Sequence, residues 1–202
     1  MQADSPALIL ASASAARQAV LAGAGLRFTA RAAAVDEAAI KRAALSEGLD
    51  ATAAALRLAD AKAACIARQE PQAVVIGADQ ILVCDGTWYD KPEDMAGARR
   101  QLLALRGRAH ELATAVACHV GGRVLWRHVE LPRLTMRAFS EPFLDAYLAA
   151  EGELVQRSVG AYRLEGPGVQ LFERVEGDHA TILGLPLLPL LAFLREAGVV
   201  LG

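Results

Sequence analysis

The chain is short of the residues that most often announce a function. Its 202 residues include only 3 cysteines and 4 histidines, and its formal net charge is -2. Cys65, Cys84 and Cys118 are odd in number and far apart, with no C-x-x-C spacing, so neither a disulfide framework nor a zinc site is expected. They read as small hydrophobes in a reducing compartment. His110, His119, His128 and His179 make no H-E-x-x-H pattern and read as structural. No G-x-S-x-G or Cys-His signature supports acyl transfer. A nearly balanced charge also lacks the clustered lysine and arginine excess of a polynucleotide-binding surface, so no nucleic acid polymer is expected as a partner.

Long apolar runs are missing too. None approaches the roughly 20 residues needed to span a bilayer. The most membrane-like stretch, Ile182 to Leu194, is short and contains Pro186 and Pro189. The opening MQADSPALILASASA has no basic n-region, which argues against a signal peptide. With 54% hydrophobic and 22% charged residues, the composition is that of a globular protein. There is no internal repeat, low-complexity tract or linker. The expectation is a cytoplasmic protein with no membrane partner, residues 1–202 forming a single domain.

What is present alternates between strand and helix signals. Leu8-Ile9-Leu10-Ala11 is a short apolar run that stops at Ser12-Ala13-Ser14, and Ala15 to Ala24 looks helical. Phe28 to Arg31 reads as a second strand, and Val35-Asp36-Glu37 opens an alanine-rich helical region. Ala51 to Gln69 is the longest helix candidate, capped by Asp50, with Leu56, Ala59, Ala63 and Ile66 on one face and Lys62 off its middle. Val74 to Ile76 reads as a buried strand, interrupted by Gly77-Ala78-Asp79-Gln80 and resumed at Ile81-Leu82-Val83. Asp85-Gly86 signals a hairpin turn. Pro92-Glu93-Asp94 begins an amphipathic helix, MAGARRQLLAL, ending near Gly107. Ala109 to Val120 and Arg123 to Met136, joined by Gly121-Gly122, read as a long β-hairpin, and Ser140-Glu141-Pro142 starts a helix to Ala150. Val169 to Val175 reads as a strand, Glu176-Gly177-Asp178 as a turn, and Leu185-Pro186 as the start of a last helix to Glu196. Helices interleaved with hairpins predict an α/β fold around a mixed, twisted sheet.

Chemistry gathers in two places. Asp79 follows a buried strand and a glycine, which predicts a carboxylate at a strand end, where ligands of open α/β sheets bind. Lys91 returns between Asp90 and Pro92. A carboxylate and a lysine so placed can handle a metal-bound phosphate. Taken alone, Asp79 serves equally well as a turn cap, and a solvated lysine is the plainer reading of Lys91. Ser12-Ala13-Ser14 and Arg17 bring hydroxyls, free N–H groups and a guanidinium to a helix N-terminus, a natural phosphate cradle. The spacing is not that of a P-loop, and a helix cap with a solvated arginine is the plainer reading. Glu37 and Lys62 give weak individual signals.

Read in order, LILASxS from Leu8, Val35-Asp36-Glu37, Ala61-Lys62-Ala63, IGADQ from Ile76, DKP from Asp90, Leu105-Arg106-Gly107-Arg108-Ala109-His110 and GLP at 184–186 resemble the Maf family. Its members are nucleoside triphosphate pyrophosphatases linked by name to septum formation. The resemblance spans Leu8 to about Leu194. It implies two lobes around a central cleft, as in inosine triphosphate pyrophosphatases, a homodimer, and hydrolysis of the α-β phosphoanhydride to a monophosphate and pyrophosphate with Mg²⁺ or Mn²⁺. By the same resemblance Asp79 is the proton acceptor and, with Glu37, a metal-associated carboxylate. Ser14, Arg17, Lys62 and Lys91 would grip the triphosphate.

The match is imperfect at the start. The family usually reads S-x-S-P-R-R, whereas this chain reads Ser12-Ala13-Ser14-Ala15-Ala16-Arg17-Gln18. The rigid proline is missing and only Arg17 remains of the basic pair, which implies a weaker phosphate grip or a substitute residue. Family positions tied to base selection fall on Ala16, Gln80 and Glu165. Gln80 and Glu165 look like the branch acting on 7-methyl-GTP rather than the one acting on dTTP and UTP. A carboxylate at 165 accepts hydrogen bonds from guanine N1–H and its exocyclic amine, where a pyrimidine offers fewer donors. That branch tends to have a tryptophan at position 16 to stack on the cationic base; Ala16 cannot. Guanine-type triphosphates, modified ones included, are the expected substrates, with removal of unwanted nucleotides as the role. Two alternatives are an inosine/xanthosine triphosphate pyrophosphatase, whose motifs are absent around Asp79, and a nucleotide-sensing regulator of cell division that binds without turnover, favoured by the eroded arginine pair.

Overall fold

In the computed structural model, which describes residues 2–4 and 6–201, the opening apolar run forms β1 (Leu8–Leu10) and leads into α1 (Ala15–Gly23), capped by Ser14. After β2 (Thr29–Ala30) come α2 (Glu37–Ser46) and α3 (Ala51–Ala67). The side chains of Asp36 and Asp50 accept from Ala39 N and Ala53 N, satisfying N–H groups that have no partner within the helix. Next are β3 (Val74–Cys84), β4 (Thr87–Tyr89), α4 (Met95–Leu105), β5 (Ala109–Val120), β6 (Arg123–Glu130) and β7 (Arg133–Met136). The chain ends through α5 (Glu141–Glu151), β8 (Phe172–Glu176), α6 (His179–Ile182) and α7 (Leu187–Glu196). Among the described residues eight strands make one mixed sheet, and the fold class is α/β as expected.

The chain divides into two compact units, with β3 and β5 contributing residues to both. The first unit contains the residues up to Gln80, Thr114–Glu130 and the chain from Asp178 onward. In it β1 pairs in parallel with both β2 and β3, and β5 pairs antiparallel with β6 from Thr114 to Val120. The strand pleat sorts its core. Leu8, Leu10, Val74 and Ile76 pack with Val116, Leu190 and Leu194, while Ile9 and Val75 pack with Ala63, Ile66 and Ala67. A strand covered on both faces has to be apolar throughout, which is why its segments read as continuous runs rather than alternating ones.

The second unit contains Ile81–Ala113 and Leu131–Gly177. Leu82–Cys84 turn back into β4 through Asp85 and Gly86, whose φ angles of 48° and 77° are both positive, the conformation a two-residue hairpin demands. Ala109–Glu111 pair antiparallel with β7, and β7 with β8. His110, Tyr162 and Phe172 form its aromatic cluster.

Several expectations need correction. The strand through Gly77-Ala78-Asp79-Gln80 is unbroken, so Asp79 lies inside β3 rather than at a strand end. Gly77 marks a close approach to a helix, not a turn. The second arm of the long hairpin breaks at Leu131-Pro132 into β6 and β7, where proline supplies no N–H for the ladder. Residues Pro167–Leu171 form a short 3-10 helix, and only Phe172–Glu176 are strand. The helix MAGARRQLLAL, by contrast, is as expected: α4 covers it, and Asp94 caps it by accepting from Gly97 N. No helix among the described residues is long and apolar enough to cross a membrane.

Candidate functional site

The site begins with a missing side chain. A Cβ on Gly77 would run into Ala59 O of α3 and lie 2.7 Å from Ala63 N and 2.9 Å from Ala63 Cβ. Only glycine opposite alanines lets helix and strand backbones come this close. The contact seats α3 against β3, and one turn along the helix Lys62 meets Asp79.

Lys62 Nζ lies 2.5 Å from Asp79 Oδ1 and 2.9 Å from Glu37 Oε1. Lys62, expected off the middle of the apolar face, is buried, and so is Asp79; Glu37 at the first turn of α2 is exposed. Three elements thus bring two carboxylates to one ammonium. Charges out of water are tolerated when each finds a partner of opposite sign.

The second group stands at the start of α1. Ser14 Oγ caps the helix by accepting from Arg17 N at 3.4 Å. The Arg17 side chain does not run into solvent. Its Nε donates to Gly184 O at 2.8 Å and its Nη1 to Ser12 Oγ at 3.3 Å. Burial lowers the Arg17 guanidinium below its ordinary value, and attraction to Asp79 and Glu37 opposes that shift, which ties the arginine to the same electrostatic cluster. Ala16, half-buried one residue earlier, offers only a methyl group.

Gln80 follows Asp79 on β3 and is held by its amide nitrogen. Nε2 has two protons for three acceptors, Thr114 Oγ1 at 2.8 Å, Ile182 O at 3.1 Å and Thr181 O at 3.2 Å, so one N–H is shared. Two of these acceptors are carbonyls, which can only accept, so the nitrogen rather than the oxygen must face them. The NH₂ group is engaged with the protein itself.

Lys91 and Glu165 belong to the second unit. Lys91 is exposed beside the buried Pro92. Glu165 Oε1 accepts from Arg163 Nε at 3.3 Å, while Arg163 Nη1 donates to the buried Glu151 at 3.2 Å. Among the described residues no group of three or more His, Cys, Asp and Glu forms a metal site. Three of the four histidines have partners of their own: His110 with Tyr162 O–H, His119 with Asp60 and His128 with Glu130. Cys84 and Cys118 are buried and Cys65 is half-buried; all three are free thiols.

Sequence reasoning did not single out Thr114, Thr181 or the roles of Gly77 and Gly184. Gly184 was visible only as the first letter of GLP; its φ of 102° and the 3.0 Å from a would-be Cβ to Arg17 Nε explain why glycine stands there. The threonines had no local signal, because their partners are remote in sequence.

Comparison with known proteins identifies the family. A family model described as Maf-like protein matches residues 7–197. A protein of Granulibacter bethesdensis named nucleoside triphosphate pyrophosphatase is 57% identical over 94% of this chain and 96% of its own length. One of Rhodospirillum rubrum with the same name is 49% identical over the full length of both. A 7-methyl-GTP pyrophosphatase of Rhizobium meliloti is 50% identical over 96% of this chain and 98% of its own. With the motifs, the fold and these relatives in agreement, the chain belongs to the family of Maf-like proteins.

Proposed function

We propose that the protein is a nucleoside triphosphate pyrophosphatase that cleaves the α-β phosphoanhydride of guanine-type triphosphates, modified ones included, to a monophosphate and pyrophosphate. The observation that supports this most directly is the cluster of Lys62 shared by Glu37 and Asp79 within 2.9 Å, with Arg17 in its field. Phosphoryl chemistry is largely positioning plus neutralisation of charge on the oxygens and the leaving group.

The donor set fits a hard divalent cation. Mg²⁺ is commonly held by one or two carboxylates, with substrate phosphates and waters completing the shell. Glu37 and Asp79 already converge on one cation, Lys62, and would hold Mg²⁺ or Mn²⁺. Such an ion supplies charge neutralisation at the phosphate oxygens.

The chain's own residues do the rest. Asp79 accepts a proton from the attacking water. Lys62 pairs with that carboxylate at 2.5 Å in a buried position and, with Ser14 and Arg17, grips the triphosphate. Lys91 joins them, and Ala16, Gln80 and Glu165 select the base; Lys91 and Glu165 are assigned by family resemblance. Residues 1–202 act as one domain, and the protein works in the cytoplasm as a homodimer.

The test is incubation with Mg²⁺ or Mn²⁺ and a panel of nucleoside triphosphates, with monophosphate and pyrophosphate measured. Equal release of both, highest for guanine bases, is the expected result. Binding without turnover would favour a nucleotide-sensing regulator, and orthophosphate release would refute α-β cleavage.

A further inference from the structure

Gln80 and Arg17, assigned above to the base and the triphosphate, are joined by a short line of hydrogen bonds through the segment after β8. Thr181 O accepts from Gly184 N at 2.9 Å and, sharing an N–H with Ile182 O, from Gln80 Nε2 at 3.2 Å. Gly184 O in turn accepts from Arg17 Nε at 2.8 Å. The Thr181 carbonyl and the backbone of one residue, Gly184, separate the two side chains.

That line depends on where Thr181 sits. Its side chain is buried, 1% exposed, between two carboxylates. Thr181 Oγ1 lies 2.7 Å from Glu130 Oε2 and 3.4 Å from Asp178 Oδ2. A hydroxyl has one proton, so the shorter bond to Glu130 takes it. Asp178 is already committed to Thr181 N at 3.0 Å as the cap of α6. Thr181 is therefore fixed to β6 by its side chain, while its carbonyl serves Gln80 and Gly184. A four-residue helix has little stability of its own, so tertiary bonds of this kind decide its position.

We propose that Thr181 is a positioning residue whose carbonyl couples the base-reading Gln80 to the phosphate-gripping Arg17 through Gly184. The inference rests on the pyrophosphatase reading for those two roles. Base recognition and phosphate grip are then one cooperative unit: a base that pulls on Gln80 changes the aim of Arg17.

The coupling is tested with tripolyphosphate, a triphosphate without a base, titrated by calorimetry into the full-length protein without added divalent metal. Wild type binds it. Gln80→Met and Thr181→Val each weaken binding about fivefold, the loss that one net hydrogen bond represents. The double variant is no weaker than the worse single, because both act through one line. Thr181→Ser, which keeps the hydroxyl, binds as wild type does. Unchanged affinity in Gln80→Met, additive losses in the double variant, a Thr181→Ser defect equal to that of Thr181→Val, or no binding by wild type would each overturn the proposal. Failure of the pyrophosphatase reading appears separately, as absent turnover in the nucleotide panel, because tripolyphosphate binding requires no hydrolysis.

Discussion

Lys62 Nζ and Asp79 Oδ1 stand 2.5 Å apart across 17 residues of sequence, and what holds them there is the backbone of Gly77. The lysine is on a helix and the carboxylate on a strand, so their separation is set by how closely α3 packs on β3. Gly77→Ala would drive a methyl into Ala59 O and Ala63. The backbones must part, at a cost of about 1–3 kcal/mol, as for other overpacked cores. The expected outcome is a lowered urea midpoint together with turnover reduced beyond what the remaining folded fraction explains. Wild-type activity in a folded Gly77→Ala protein would show that this packing does not set the site.

Asp79→Asn separates chemistry from folding. The neutral amide cannot accept the proton of water, and removing a general base costs about 10²–10⁴-fold in rate. Lys62 keeps Glu37 at 2.9 Å, so the buried ammonium is not left without a counter-charge and the protein stays folded. Turnover and thermal denaturation measured side by side check both halves. An unaffected rate would remove Asp79 from its role.

The same pair shows how far the sequence was legible. Strand and helix order followed from apolar runs and caps, because Asp36, Asp50 and Ser140 act locally on N–H groups three residues on. The residues of the Lys62 cluster were named through a resemblance, since nothing local distinguishes a lysine in an alanine-rich helix from a solvated one. What misled was Gly77. A glycine inside an apolar run signals either a turn or a close backbone approach, and the choice depends on Ala59 and Ala63, which are far from it in sequence but meet it in the fold. Thr181 was hidden for the same reason, its partners being Glu130 and Gln80.

His110 predicts a pH dependence of stability. Burial lowers its pKa from 6.5 to about 4, and its Nε2 pairs with the Tyr162 hydroxyl at 2.9 Å. Between those values the unfolded chain binds the proton and the folded protein does not. Stability from this residue is therefore complete above about pH 6.5 and falls as the pH drops toward 4, by up to about 3 kcal/mol. Urea midpoints should fall over this range more steeply in wild type than in His110→Gln, which retains a polar partner for Tyr162 without titrating. Parallel curves would show that His110 is not the group responsible.

Glu165→Gln tests base selection without disturbing the fold. Glu165 pairs with Arg163 at 3.3 Å, and both side chains are partly exposed, a class of ion pair worth about 0–1 kcal/mol. Arg163 retains Glu151 at 3.2 Å, so the melting temperature should barely change. The amide keeps one acceptor oxygen but replaces the other with an NH₂ donor, which opposes the N1–H and exocyclic amine of guanine. Losing one hydrogen bond to a charged group, about 1.5–3 kcal/mol, predicts that kcat/KM for a guanine triphosphate falls at least tenfold relative to UTP. A ratio that does not move would place base recognition elsewhere, with Gln80, whose amide nitrogen is already committed to Thr114, Thr181 and Ile182, left to read the base through its oxygen.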